Sequence, residues 1–217
     1  MNLGLYCVKY AQSSLPESMV FAGGSREKRI PIAFVIYCIC TGDRKILVDA
    51  GCDTMPGFEM IDHRSPAVAL KDIGIAPEQI TDVILTHAHH DHAESLRHFP
   101  NALIHVTDGA LPSAQRYIPE NAKVKTWSGS CQIADGITAL EIGGHAKGSA
   151  IVAVETQTLT HILAGDECYT DENIAQKRCT GSFASRENAE NFIQTYSSCQ
   201  YCVHTCHDSA LKTERIL

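Results

Sequence analysis

Residues 82–94 read Asp82-Val83-Ile84-Leu85-Thr86-His87-Ala88-His89-His90-Asp91-His92-Ala93-Glu94. The apolar start of this stretch, Asp82–Leu85, has the composition of a buried strand and is predicted as one. Directly after it, positions 87–92 hold five potential metal ligands. Imidazole nitrogens and carboxylate oxygens are the donors that zinc, iron and manganese accept. A strand-to-helix turn aims alternate side chains at one point. His87 and His89 can therefore reach one ion, while Asp91 and His92 offer a second pair on another side. The spacing predicts a metal site with room for two ions, followed by a short helix starting near Ala93.

Working outward, apolar runs rich in Val, Ile and Leu predict strands at 3–8, 32–40, 45–49 and 102–106. Further strands are expected at 137–142, 149–155, 160–164 and 201–205, the first of these preceded by the turn pair Asp135-Gly136. Ser65-Pro66 is an N-cap and N1 pair for a helix that runs to Ile73 and stops at Gly74. Ala189, Phe192, Ile193 and Tyr196 lie at i, i+3, i+4 and i+7, so Arg186–Tyr196 is expected to be a helix packed by one face on a sheet. Strands in hairpins with interspersed helices fit a layered α/β or α+β sandwich. Without repeats or linker-like stretches, residues 1–217 read as a single domain.

Composition narrows the class of function. Hydrophobic residues make up 44% and charged residues 20% of the 217, a globular balance. Eighteen basic against twenty-five acidic side chains give a net charge of −7, which argues against nucleic acid as a partner and favours a small molecule. The N-terminus lacks a secretory signal pattern and the longest apolar run is too short to span a bilayer, so a cytoplasmic protein without membrane contact is expected. In a reducing compartment the ten cysteines read as buried thiols.

His87-x-His89-x-Asp91-His92 resembles the signature of the metallo-β-lactamase superfamily of metallohydrolases. Other stations of that family follow in order. Gly144-His145 lies in Gly143–Ser149, Asp166 ends Leu163-Ala164-Gly165-Asp166, and His207 lies in Thr205-Cys206-His207-Asp208. Leu47–Gly51 is similar to the early turn of the family. The resemblance spans nearly the whole chain and implies an α+β fold, an αββα metallo-β-lactamase sandwich of four layers with metals at one edge of the sheets. It implies His87, His89 and His145 on one ion, Asp91, His92 and His207 on the other, and Asp166 bridging. Asp49 corresponds to an aspartate behind the ligands that orients them. The ions are expected to be zinc, with iron or manganese able to occupy the same donors.

Such a pair of ions would supply a bridging hydroxide for attack on a carbonyl, with Asp91 carrying the proton to the leaving group. Tyr169, three residues after Asp166 in Asp166-Glu167-Cys168-Tyr169, resembles a tyrosine of the N-acyl homoserine lactonase subgroup. By that likeness it would donate a hydrogen bond to the substrate carbonyl, and the substrate would be a lactone or related ester. Phe58, Met60, His90 and Lys147 are candidate substrate-lining residues. The segment 51–65 is short where lactonases carry a longer covering insertion, which leaves the source of an acyl-chain pocket open.

Two other readings remain. A glyoxalase II-like thioesterase would share the two-metal site but carries a C-terminal helical substrate domain, whereas ten residues follow His207. A Cys-rich zinc or redox-sensing protein would use Cys199-x2-Cys202-x-His204-x-Cys206. Against it, Cys202, His204 and Cys206 share one face of a single predicted strand, and a stiff strand cannot converge three ligands on one ion. Oligomeric state is not legible in the sequence.

Overall fold

The computed structural model describes residues 3–217. Its strands are β1 (Gly4–Pro16), β2 (Arg29–Thr41), β3 (Arg44–Val48), β4 (Asp82–Ile84), β5 (Leu103–Thr107) and β6 (Lys123–Trp127). They continue with β7 (Ser130–Ala134), β8 (Ile137–Glu141), β9 (Ala150–Glu155), β10 (Thr160–Leu163), β11 (Tyr201–His204) and β12 (Glu214–Arg215). A seven-stranded sheet has the order β12-β1-β2-β3-β4-β5-β6 and a five-stranded sheet the order β11-β10-β9-β8-β7.

Alternation of apolar side chains explains why the sheets stack. Along β9, Ala150, Val152 and Val154 face the layer between the sheets, while Ile151 and Ala153 face outward. Along β2, Val35, Tyr37 and Ile39 point into the same inner layer, and Phe34, Ile36 and Cys38 point to the opposite face. A strand buried on both faces needs a cover on each. The helix Arg186–Tyr196 covers the five-stranded sheet through Ala189, Phe192 and Ile193. Short helical segments carrying Ala69, Leu70, Leu96 and Phe99 cover the other sheet. The result is a four-layer αββα sandwich.

Strand direction positions the site. β3, β4, β5 and β6 run parallel, so the chain leaves β3 and β4 at one shared edge. In the second sheet β10 and β11 are also parallel, and the segments after them carry Asp166 and His207. The turn between β8 and β9 adds His145.

Several sequence expectations change. β1 extends to Pro16 rather than ending at Val8, because Gln12–Pro16 pair with Arg29–Ala33 of β2 after a register shift between Lys9 and Ala11. β6, β7 and β12 were not expected. The segment after Ser65 is one α-turn, Pro66–Ala69, followed by a 3-10 turn, Leu70–Ile73. The Ser65 hydroxyl makes no capping bond there; its carbonyl accepts from Val68 and Ala69 instead. The helix expected near Ala93 is His90–Ala93, so the ligand motif itself forms its first turn.

Candidate metal centre

Asp49, the residue after β3, is buried and has φ 63°, a left-handed conformation that costs a non-glycine residue about 1 kcal/mol or more. Its carboxylate accepts from Thr86 N at 2.8 Å, Thr86 Oγ1 at 2.8 Å and His92 Nδ1 at 2.7 Å. These bonds join the end of β3 to the turn after β4.

The same device recurs around the centre. His207 Nδ1 donates to Ala33 O at 2.8 Å, and His145 Nδ1 donates to Ser182 O at 2.9 Å. His87 Nδ1 donates to Thr86 Oγ1 at 3.1 Å, a hydroxyl whose own proton goes to Asp49. Carbonyl and carboxylate oxygens only accept, so the proton is fixed on Nδ1 and each Nε2 lone pair is turned inward. The inward target is Asp166. Its Oδ1 lies 2.9 Å from His92 Nε2 and 3.3 Å from His207 Nε2, and its Oδ2 lies 3.2 Å from His145 Nε2 and 3.6 Å from His87 Nε2.

Donor atoms at the centre fall into two main groups, each with its atoms within 4.8 Å of one another: His87, His89, His145 and Asp166, and Asp91, His92 and His207; Cys206 forms a third such group with Asp166 and His207. Asp91 Oδ2 is 3.6 Å from the Nε2 atoms of both His92 and His207. Nε2 of His87 and of His92 are buried without a hydrogen bond. Buried polar atoms without partners are rare in native proteins, and lone pairs converging on carboxylates are what a pair of divalent cations would satisfy. The residues fit the group.

Electrostatics point the same way. Burial opposes ionisation of Asp166, but His92, His145, His87 and His207 hold its carboxyl well below the usual carboxylate range. Burial alone would depress His92 and His207; Asp166 overrides it and raises both. His87 is pushed down by burial and by its imidazole neighbours. The centre thus demands positive charge.

Glu167, which no spacing in the sequence singled out, anchors the His145 turn. It is buried, and its Oε1 accepts from the amides of Gly144 and His145, both at 3.1 Å, and from the Ser149 hydroxyl. Gly144 is required by this approach, since a Cβ there would lie 2.2 Å from Glu167 Oε2 and 2.9 Å from Ala189 N.

Tyr169 is buried against the centre, its ring centroid 5.0 Å from that of His207 and 5.9 Å from that of His145. Burial and the nearby Asp166 push its phenol well above 10, so it is a neutral donor. A cavity of about 230 Å³ opens beside it. Leu15, Met19, Ile32, Phe34, Met55 and Phe58 form its apolar wall, and His89, Asp91, His145, Asp166 and His207 form its floor.

Of the expected lining residues, Phe58 and His90 reach this cavity and Met60 and Lys147 do not. Met60 packs on Cys52, their sulfurs 3.9 Å apart, and Lys147 is exposed on its turn. His90 donates from Nε2 to Thr54 O at 2.8 Å and accepts at Nδ1 from the Tyr117 hydroxyl at 3.3 Å, bracing the segment that carries Met55. Arg116, also unexpected, stands exposed at the rim. Leu15 and Met19 were not expected, because they stand among the mostly polar residues 12–19, where no strand or helix was predicted. Cys206 does not share a face with Cys202 and His204: it lies beyond β11, and its thiol contacts Asp166 Oδ1 and Gly165 O, both at 3.1 Å.

Two stacked sheets between helices, with histidine and aspartate donors gathered at one sheet edge, define a scaffold for metal-site proteins. The chain belongs to the metallo-β-lactamase superfamily, whose family model matches residues 33–192. Over 190 residues it is 26% identical to the N-acyl homoserine lactonase AiiB of Agrobacterium fabrum, covering 69% of this chain and 67% of that protein. Over 112 residues it is 31% identical to an N-acyl homoserine lactonase of a Bacillus species, covering 48% of this chain and 45% of the relative. A solved N-acyl homoserine lactone hydrolase with its product N-hexanoyl-L-homoserine at the catalytic metal centre matches with TM-score 0.83. It is 22% identical and covers 96% of this chain and 94% of its own. The dizinc quorum-quenching lactonase AidC matches with TM-score 0.75 and 15% identity, covering 98% and 90%.

Proposed function

We propose that this chain is a dinuclear metal-dependent hydrolase that opens the ring of an N-acyl homoserine lactone or a closely related ester. One observation carries the reading: two donor groups meeting at Asp166 lie on the floor of an apolar cavity, with the neutral phenol of Tyr169 beside them. The lactonase names of its relatives support it.

His87, His89 and His145 would hold one ion, Asp91, His92 and His207 the other, and Asp166 both. Zinc suits these mixed nitrogen and oxygen donors, and iron or manganese would fit the same shell. When bound, two such ions lower the pKa of coordinated water and polarise a carbonyl oxygen. The chain's own residues do the rest. Tyr169 donates to the carbonyl oxygen, a bond that strengthens as negative charge builds there. Asp91 accepts the proton of the attacking water and delivers it to the ring oxygen as the acyl C–O bond breaks. The wall from Leu15 to Phe58 takes the acyl chain. It is built from the end of β1, the helix Glu17–Val20 and β2, together with the short 51–65 segment, so no long insertion is needed. Ten unpaired cysteines are consistent with a reducing cytosol; among the described residues no helix is long and apolar enough to cross a membrane.

The test is a comparison of kcat/KM on metal-replete protein for acyl homoserine lactones, simple lactones, thioesters and phosphodiesters, with acid release as the readout. Lactones are expected to lead by at least about tenfold, a difference of ~1.4 kcal/mol in transition-state binding. A thioester or phosphodiester in first place would overturn the assignment.

A further inference from the structure

A second group of ligands lies in the inner layer of the sandwich, away from the centre at the sheet edge. β10 and β11 pair in parallel with His161 opposite Cys202 and Leu163 opposite His204. Paired residues on adjacent strands share a face, and residues two apart on one strand share it too. His161, Cys202 and His204 therefore stand together. His161 Nδ1 is 2.9 Å from His204 Nε2, the rings are parallel within 8°, and with the Cys202 sulfur the donor atoms all lie within 4.8 Å of one another. A single strand could not converge three ligands, but here the neighbouring strand supplies one of them.

The surroundings make this cluster unusual. The layer it enters is otherwise apolar: Leu163 and Val154 flank it on the same face, and Tyr37 from the opposite sheet lies over His204 with ring centroids 6.1 Å apart. Among the described residues each imidazole makes one side-chain hydrogen bond, to the other, and neither has a carboxylate partner. His161 is buried, whereas Cys202 and His204 are half-buried at the margin of that layer, so the three groups are only partly hydrated and share a single bond. One soft cation would satisfy all three. Two nitrogens and a thiolate suit zinc, at Zn–N about 2.0 Å and Zn–S about 2.3 Å. His161 also borders an open groove shared with Asp135, Glu155 and Leu217, through which water can supply a fourth ligand.

We propose that His161, Cys202 and His204 form a mononuclear zinc site distinct from the centre at Asp166. The thiol gives up its proton to solvent on binding, and no redox step is involved.

The experiment measures zinc per chain by mass spectrometry after equilibration with free zinc and gel filtration, in wild type, Cys202→Ser and His161→Gln. Both variants are expected to hold one zinc fewer than wild type at unchanged lactone turnover. With cobalt in place of zinc, wild type is expected to show a thiolate-to-cobalt charge-transfer band that loses intensity in Cys202→Ser, any remainder reporting Cys206 at the Asp166 centre. His161→Gln keeps the thiol, so its loss of one equivalent separates ligation from mere thiol reactivity. Equal zinc content in all three proteins, or a charge-transfer band of undiminished intensity in Cys202→Ser, would refute the site. Because the readout is a difference between variants, it stands or falls independently of the occupancy and activity assigned to the Asp166 centre.

Discussion

Asp49 illustrates how much one carboxylate can organise. Held in a left-handed conformation, it fixes the His92 tautomer and ties the turn after β4 to β3. Asparagine tolerates that backbone but presents an amide where only acceptors fit. Asp49→Asn is expected to keep the fold and weaken metal binding about 10- to 100-fold, measured by competition with a chromogenic chelator. Tyr169→Phe is expected to lower kcat on a lactone by about 10²-fold with metal content unchanged, the scale of one lost oxyanion donor. Unchanged turnover would remove the phenol from the reaction. Of the seven proposed ligands, the dense run His87–His92 was legible by its own spacing, and His145, Asp166 and His207 through the resemblance of their motifs to those of the family. Glu167 and Arg116 were not, because a carboxylate that clamps a turn and a cation at a rim leave no spacing to find.

At the scale of elements, Asp82 at the start of β4 joins its two neighbouring strands. Its carboxylate binds Arg44 at the start of β3, His105 of β5 at 2.8 Å and Thr81 at 2.7 Å. Burial works against ionisation, yet the bonds from His105, Arg44 and Thr81 hold the carboxyl well below the usual carboxylate range. A depressed folded-state pKa stabilises the fold above the unfolded value near 3.9, and that contribution disappears as pH falls below it. Asp82→Asn is therefore expected to cost about 3 kcal/mol at neutral pH and to flatten the acid limb of the stability profile, both read from urea titrations. Phe192→Ala, which empties the contact of helix Arg186–Tyr196 with its sheet, is expected to cost ~3–5 kcal/mol. That helix could be read in advance because its buried residues Ala189, Phe192 and Ile193 follow a helical period, and β9 because a run of apolar residues buried on both faces marks a covered strand. β6 could not: four of its five residues, Lys123–Thr126, are exposed, and lysines guard it as an edge. The outer half of β1 was missed for a related reason, since pairing with β2 rather than apolar composition holds Gln12–Pro16 in the sheet.

Across the whole molecule, the centre gathers side chains from segments of both sheets, so bound ions would clamp the sandwich where the strands end. A chelator is expected to lower Tm, and Tm is expected to rise with free metal concentration, by the equivalent of about 4 kcal/mol at a thousandfold excess over Kd. A Tm indifferent to metal would mean that the donors hold no ion. The cluster of imidazoles around Asp166 was foreseeable as a set, but its fit into one shell depended on which strands run parallel, a property of tertiary pairing.

The proposed ligands are also spread widely along the chain, from His87 to His207. The group His87, His89, His145 and Asp166 is complete once residue 166 has been synthesised, whereas the group Asp91, His92 and His207 waits for the last strands. Contacts this distant in sequence form late and slowly. The order of the proposed ligands along the chain therefore completes one donor group in sequence before the other, and a chain lacking His207 is expected to keep every donor of the first ion while losing one donor of the second.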